Sequence, residues 1–149
     1  MDLKFMELAV IEATKGSEYE EVPIGVVIVK DGQVIASAHN MKEESRIATR
    51  HAEIVAIEEA SRYLNDWRLI GCDLYVTLEP CAMCAGAMIN ARISNLYFGA
   101  YDGKAGCCGS LYNLPVDKRF NHRVNVTGGI MEEECGKRLS DFFKKKRTK

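Results

Sequence analysis

Two short motifs constrain this chain more than anything else in it: His51-Ala52-Glu53 and Pro80-Cys81-Ala82-Met83-Cys84. Each alone is a weak signal, since a Cys-x-x-Cys pair serves equally in a redox motif or as half of a structural zinc site. Together they offer one imidazole and two thiolates, and no comparable motif supplies a fourth ligand. Three protein ligands leave one tetrahedral position for water, which is the catalytic rather than the structural arrangement of zinc. The spacing suits this role. Cys81 and Cys84 are three residues apart and share one face of a helix. In a first helical turn the outward N–H groups favour thiolate over thiol. His51 also opens a helical stretch, so the fold is expected to converge two helix starts on a single cation.

Glu53 lies two residues from His51 and points to another side of the same turn. It is placed to sit beside a water molecule rather than to share the histidine's role as a ligand, and the pattern implies proton transfer by Glu53 during a hydrolytic step. Two plainer readings compete. His51 serves as a helix-capping histidine with the cysteines in packing roles, or Cys107 or Cys108 closes a four-ligand structural site. Outside those cases Cys72, Cys107, Cys108 and Cys135 read as buried or free thiols.

The rest of the chain reads as an α/β protein. Apolar residues at helical spacing run from Leu3 to Lys15 (Leu3, Met6, Val10 and Ala13, with Phe5 and Leu8 widening the face). Val22 to Val29 and Gln33 to Ala38 read as paired strands across the Lys30-Asp31-Gly32 turn. Asn40 to Arg50 reads as a loop. His51 to Leu64 reads as a helix with Ile54, Ile57 and Leu64 on one side. Cys72 to Leu78 is a strand, and Pro80 suits the first turn of a helix running from Cys81 to Asn90. Leu96 to Gly99 and Arg123 to Thr127 are short strands. A terminal helix from Met131 to Lys146 puts Cys135, Leu139 and Phe142 on one face. Alternating strands and helices imply a three-layer α/β domain. The 149 residues fit one domain over residues 1–149.

With 47% hydrophobic residues and no apolar run near the roughly 18 that a membrane helix needs, the expectation is a soluble chain. Asp2, Lys4 and Glu7 make Met1 to Val10 a poor signal peptide, and a cytoplasmic location is expected. In such a compartment the six cysteines read as ligands or thiols rather than disulfides. A formal net charge of −1 means that any phosphate contact must come from a local patch.

Beyond the two motifs, longer stretches carry a family resemblance. They are Val22-Pro23-Ile24-Gly25-Val26, His51-Ala52-Glu53-Ile54, the run from Leu74 through Glu79-Pro80-Cys81 to Ile89, and Gly109-Ser110-Leu111. Asn121-His122-Arg123-Val124 and Ser140-Asp141-Phe142-Phe143 extend them to the C-terminus. The chain resembles the tRNA adenosine deaminases of the cytidine-deaminase superfamily, nearly end to end. The zinc motifs mark the superfamily, and the last two stretches point to the bacterial tRNA enzymes.

The resemblance implies a three-layer α/β/α cytidine-deaminase-like fold with a five-stranded mixed sheet. It implies a homodimer, one zinc ion per chain on His51, Cys81 and Cys84, and Glu53 as proton shuttle. The reaction implied is hydrolytic deamination of adenosine to inosine at the wobble position of tRNA, with the anticodon stem-loop as partner. Asn40 resembles the asparagine that hydrogen-bonds the purine, and reads equally as a turn residue ending a strand. Ile24 resembles a pocket wall against the base, or is ordinary strand core. Asp102 resembles an aspartate near a flanking ribose, where a carboxylate accepting from a 2′-OH helps to tell RNA from DNA, or is a loop residue. Two positions depart from the family: Arg50 stands where alanine is usual, and Gly106-Cys107-Cys108-Gly109 replaces a smaller-residue loop. Both resemble the catalytic subunit of eukaryotic heterodimeric tRNA deaminases, which leaves homodimer and heterodimer open.

The run Lys144-Lys145-Lys146-Arg147-Thr148-Lys149 is the clearest basic patch. It reads as a phosphate contact for the anticodon stem, or as a solvated helix end. Two other functions remain open. A deaminase of a free base or nucleoside, such as guanine or cytosine, shares the zinc motifs. A non-catalytic partner subunit would be expected to lack the proton shuttle, and Glu53 is present.

Overall fold

The computed structural model describes residues 1–147. In chain order its elements are α1 (Leu3–Ala13), β1 (Gly25–Lys30), β2 (Gln33–His39), α2 (Lys42–Ser45), α3 (Ala52–Leu64), β3 (Cys72–Leu78), α4 (Ala82–Ala91), β4 (Asn95–Ala100), β5 (Asn125–Thr127) and α5 (Glu132–Arg147). The strands form one five-stranded sheet in the order β2-β1-β3-β4-β5. β1 runs antiparallel to both β2 and β3, while β3, β4 and β5 are parallel.

Strand alternation builds the two cores. Val26 and Ile28 face a layer that includes Ala56 of α3 and Met88 of α4, whereas Val27 and Val29 face Met6 of α1 and Leu139 of α5. The expected three-layer α/β/α fold with its five-stranded mixed sheet is therefore present. Among the described residues no helix is long and apolar enough to cross a membrane.

Several boundaries and faces differ from the sequence expectation. The first strand begins at Gly25 rather than Val22, because Pro23 has no N–H to give to a ladder and Ile24 N–H donates locally to the Val22 carbonyl at 2.8 Å. The turn behaves as read: Asp31 and Gly32 have φ of 51° and 75°, as a two-residue hairpin of type I′ requires. On α1 the buried residues are Phe5, Met6, Ala9, Val10 and Ala13, while Leu3 and Leu8 face outward. Gly25 explains the rotation. A Cβ there would strike the Ala9 carbonyl and the Ala13 N–H, so α1 lays its alanines on the bare backbone of β1.

On α3 the fully buried residues are Ala52, Ala56 and Ala60, and Ile54, Ile57 and Leu64 are half-buried at the sides. Periodicity favours the large side chains, but the small ones allow the helix to lie close to the sheet. The supposed loop from Asn40 to Arg50 holds the single-turn helix α2, whose Glu43 and Glu44 N–H groups donate to the buried Glu21 carboxylate at 3.0 and 2.6 Å. α4 starts at Ala82 with Cys81 as its N-cap, which puts Pro80 before the helix rather than in its first turn. α5 buries Cys135 and Leu139 as expected, with Phe142 half-buried and Phe143 exposed. Thr148 and Lys149 of the basic run lie outside the described residues.

Candidate active site

The site lies just beyond the C-terminal end of β3, where open α/β sheets commonly bind ligands. His51 is the N-cap of α3 and Cys81 the N-cap of α4, both with extended backbone (φ −71°, ψ 151° and φ −77°, ψ 178°). Neither uses its side chain to cap its own helix, so imidazole and sulfur are free to turn toward each other. Cys84, in the first turn of α4, completes the group.

His51 Nδ1 lies 3.7 Å from Cys81 Sγ and 3.6 Å from Cys84 Sγ. A tetrahedral ion with Zn–S of about 2.3 Å and Zn–N of about 2.05 Å spaces its nitrogen and sulfur ligands about 3.6 Å apart. The residues therefore fit a zinc ion by donor type and by spacing. Among the described residues this is the one grouping of three or more such side chains that could hold a metal ion. Cys107 and Cys108 stay outside it, so the closed four-ligand alternative is not what the fold builds.

The electrostatics point the same way. The Cys84 S–H directed at Cys81 lowers the Cys81 thiol to about 5; burial opposes this, and the N–H groups of Cys84 and Met83 and the His51 ring assist. Cys84 is driven far above the usual thiol range, first by its hydrogen bond to Cys81 and then by burial. The start of α4 thus favours a thiolate at Cys81, and a dication held here would favour both sulfurs in the ionised form. Glu53 is 4% exposed, and burial pushes its carboxyl up to about 7, with the neighbouring Cys81 adding to the rise. A carboxyl poised there exchanges protons readily near neutral pH.

Ile24 and Asn40 come together. The Asn40 N–H donates to the Ile24 carbonyl at 3.1 Å, and the Met41 N–H donates to the Arg50 carbonyl at 3.0 Å, which links both to the residue before His51. The Asn40 side-chain oxygen is buried and has no hydrogen-bond partner. A buried amide oxygen costs free energy until something donates to it, so it is suited to receive a donor from outside the chain. Asp102 is half-buried, and its Oδ1 accepts from the Lys104 and Ala105 N–H groups at 3.0 and 3.2 Å, the behaviour of a turn residue. Arg50 turns back along α3 to pair with Glu58 at 2.6 Å rather than entering the site.

Sequence reasoning passed over Glu79 and Glu21, two buried carboxylates that organise neighbouring loops. Glu79 was legible only as an acid wedged between an apolar strand and Pro80-Cys81. Glu21 gave no signal, because its partners are backbone N–H groups two elements away.

The family model described as MafB19-like deaminase matches residues 1–147. The chain is 50% identical to the tRNA-specific adenosine deaminase of Bacillus subtilis (strain 168) over 148 residues, covering 99% of this chain and 92% of that one. A solved structure from studies of A-to-I editing by tRNA:A34 deaminases at the wobble position of transfer RNA superposes with a TM-score of 0.88 at 46% identity, covering 93% of this chain and all of that one. The structure of guanine deaminase from Bacillus subtilis aligns with a TM-score of 0.65 at 39% identity, over 68% of this chain and 66% of that one.

Proposed function

The chain belongs to the MafB19-like deaminase family, and from that premise we propose that it is a tRNA adenosine deaminase: it replaces the amino group of adenosine at the wobble position of tRNA by oxygen, giving inosine and ammonia. The observation that carries the deamination is the set of three candidate ligand atoms at zinc spacing with the buried Glu53 carboxyl beside them, and the similarity to the tRNA-specific enzymes supports the substrate.

We assign His51, Cys81 and Cys84 as zinc ligands, one ion per chain, within a single deaminase-type domain. A zinc ion held there would supply Lewis acidity, which lowers the pKa of a water molecule to about 7. Glu53 takes a proton from the attacking water as its oxygen adds to the ring carbon bearing the amino group, and passes that proton to the ring nitrogen. It then takes the second proton from the hydroxyl of the adduct and gives it to the amino group, which leaves as ammonia, so the carboxylate ends the cycle as it began. Asn40 fixes the purine, its unpartnered side-chain oxygen accepting from the base edge. Ile24 forms the apolar wall beside it. Asp102 lies toward a flanking ribose. The same reading makes the enzyme a cytoplasmic homodimer, with a heterodimer as the alternative assembly.

The test is direct. Zinc-loaded protein incubated with an anticodon stem-loop, and separately with free guanine, cytosine and adenosine, is expected to form inosine from the stem-loop alone. Deamination of a free base or nucleoside at comparable kcat/KM would move the assignment to the runner-up.

For RNA contact, Lys144, Lys145, Lys146 and Arg147 crowd the last turn of α5 beside the aromatic pair Phe142–Phe143, whose ring centroids are 5.2 Å apart. Cations also favour a helix C-terminus in their own right. Truncation after Phe143 separates the two roles. Stem-loop affinity is expected to fall, and the slope of log K against log salt to shrink by about 0.9 for each lost phosphate contact to the duplex stem. An unchanged slope means that the tail only finishes the helix.

A further inference from the structure

Glu79 is 2% exposed and accepts four hydrogen bonds, all from neutral groups of one loop. Oε1 receives the Asp102 N–H at 3.0 Å and the Ser110 hydroxyl at 2.5 Å. Oε2 receives the Cys108 N–H at 3.1 Å and the Ser110 N–H at 2.9 Å. A carboxylate has about four acceptor sites, so this one is saturated. Space is fitted to it as well: a Cβ on Gly106 would collide with the Glu79 carboxyl group.

The same loop is stitched to the segment that carries a candidate zinc ligand. The Cys107 N–H donates to the Pro80 carbonyl at 2.9 Å, and Gly106 forms a bridge with Cys81. Cys108 lies close enough to Glu53 and Cys81 to feel both charges. The outer side of the loop presents Tyr101, Leu111 and Tyr112 to solvent. The loop therefore has one edge on the segment of the candidate ligand Cys81 and another, aromatic and apolar, open to solvent.

We infer that Glu79 is a positioning residue: its buried carboxylate gathers residues 102–110 into a fixed wall of the substrate site, and so sets how tightly RNA is held without touching it. This rests on the reading of the protein as an RNA deaminase. The chemistry favours such a device over a salt bridge. A lone buried charge is costly, so the four donors cannot drift away without leaving it unpaired. Loop shape and charge thereby enforce each other, whereas an arginine partner would satisfy the charge and leave the loop backbone free.

The test uses the zinc-loaded full chain carrying Glu79→Gln, whose amide nitrogen at the Oε1 position can donate to the Ser110 hydroxyl but must face and repel the Asp102 N–H. Hydrogen exchange at the Asp102 amide is expected to quicken by about tenfold or more, the equivalent of losing one hydrogen bond. Zinc content is expected to stay at one per chain. KM for the stem-loop should rise about tenfold with kcat within about threefold, the signature of lost uniform binding. Ser110→Ala, which deletes only the hydroxyl, should change KM in the same direction by less, and it carries the kinetic test if Glu79→Gln does not fold.

Unchanged exchange overturns the inference. So does an unchanged KM in both variants, or a loss of kcat that tracks zinc loss, which would assign Glu79 to the ligand segment instead. If the unaltered protein forms no inosine from the stem-loop, the functional reading fails, while the exchange rates still decide whether the clamp exists.

Discussion

Replacing Glu53 by alanine is expected to leave the metal content at one zinc per chain and to lower kcat for stem-loop deamination by about 10²–10⁴-fold. The two halves of this expectation have different causes. Metal retention follows from the ligand set, which is complete without Glu53: His51 Nδ1 and the two sulfurs are already spaced for one ion. The rate loss follows from proton traffic. The reaction needs a group that first accepts a proton and then returns it, and Glu53 is the buried carboxyl beside the sulfurs, tuned toward neutrality by burial. Glu53→Gln sharpens the test, since it keeps shape and hydrogen bonding but cannot accept a proton. It should be as slow as alanine. Turnover near that of the unaltered enzyme in either variant, with zinc verified by elemental analysis, would remove Glu53 from the mechanism.

Removal of the metal is the second large effect. Dialysis against a strong chelator should abolish inosine formation, and one equivalent of zinc should restore it. Cys84→Ser should fail to regain activity at the same zinc concentration, because the fully buried Cys84 sits in the first turn of α4 and its sulfur is one of the three proposed ligands. The chain is expected to stay folded throughout. Its two cores are built from the sheet and four flanking helices and do not depend on the ion, unlike those of a zinc finger. Zinc at a hundred times its Kd adds about 2.7 kcal/mol by mass action, a rise in Tm of about 5–10 °C for a chain of this length. Complete unfolding on chelation would recast the ion as structural.

The grouping of His51, Cys81 and Cys84 was readable because metal chemistry restricts residue type so severely: few patterns other than His-x-Glu with Pro-Cys-x-x-Cys supply an imidazole, two thiolates and a spare carboxylate. The strands were readable because β-branched runs such as Val26 to Val29 are bounded by glycine or proline. The faces of α1 and α3 were legible only in part. On α3 the side chains that meet the sheet are alanines, and on α1 Ala9 meets it beside the expected Phe5, Met6, Val10 and Ala13, whereas hydropathy patterns give greater weight to Leu3, Leu8 or Ile54. Close approach of backbones, as at Gly25, leaves almost no trace in hydrophobic periodicity. The loop clamps were hidden for a related reason. Glu21 and Glu79 bind main-chain N–H groups, which every residue has, so no partner type appears in the sequence to announce them.

The alanine face of α3 has a consequence for how such an enzyme can change over time. His51 and Glu53 stand at the near end of a helix whose height above the sheet is set by the methyl groups of Ala52, Ala56 and Ala60. A single added carbon two turns away lifts the whole rod and shifts the imidazole from its rendezvous with the sulfurs. Variation along that face is thus read out as lost alignment before it is felt as lost folding. Drift in substrate preference is left to the rim, whose loops can be rewritten without disturbing that spacing.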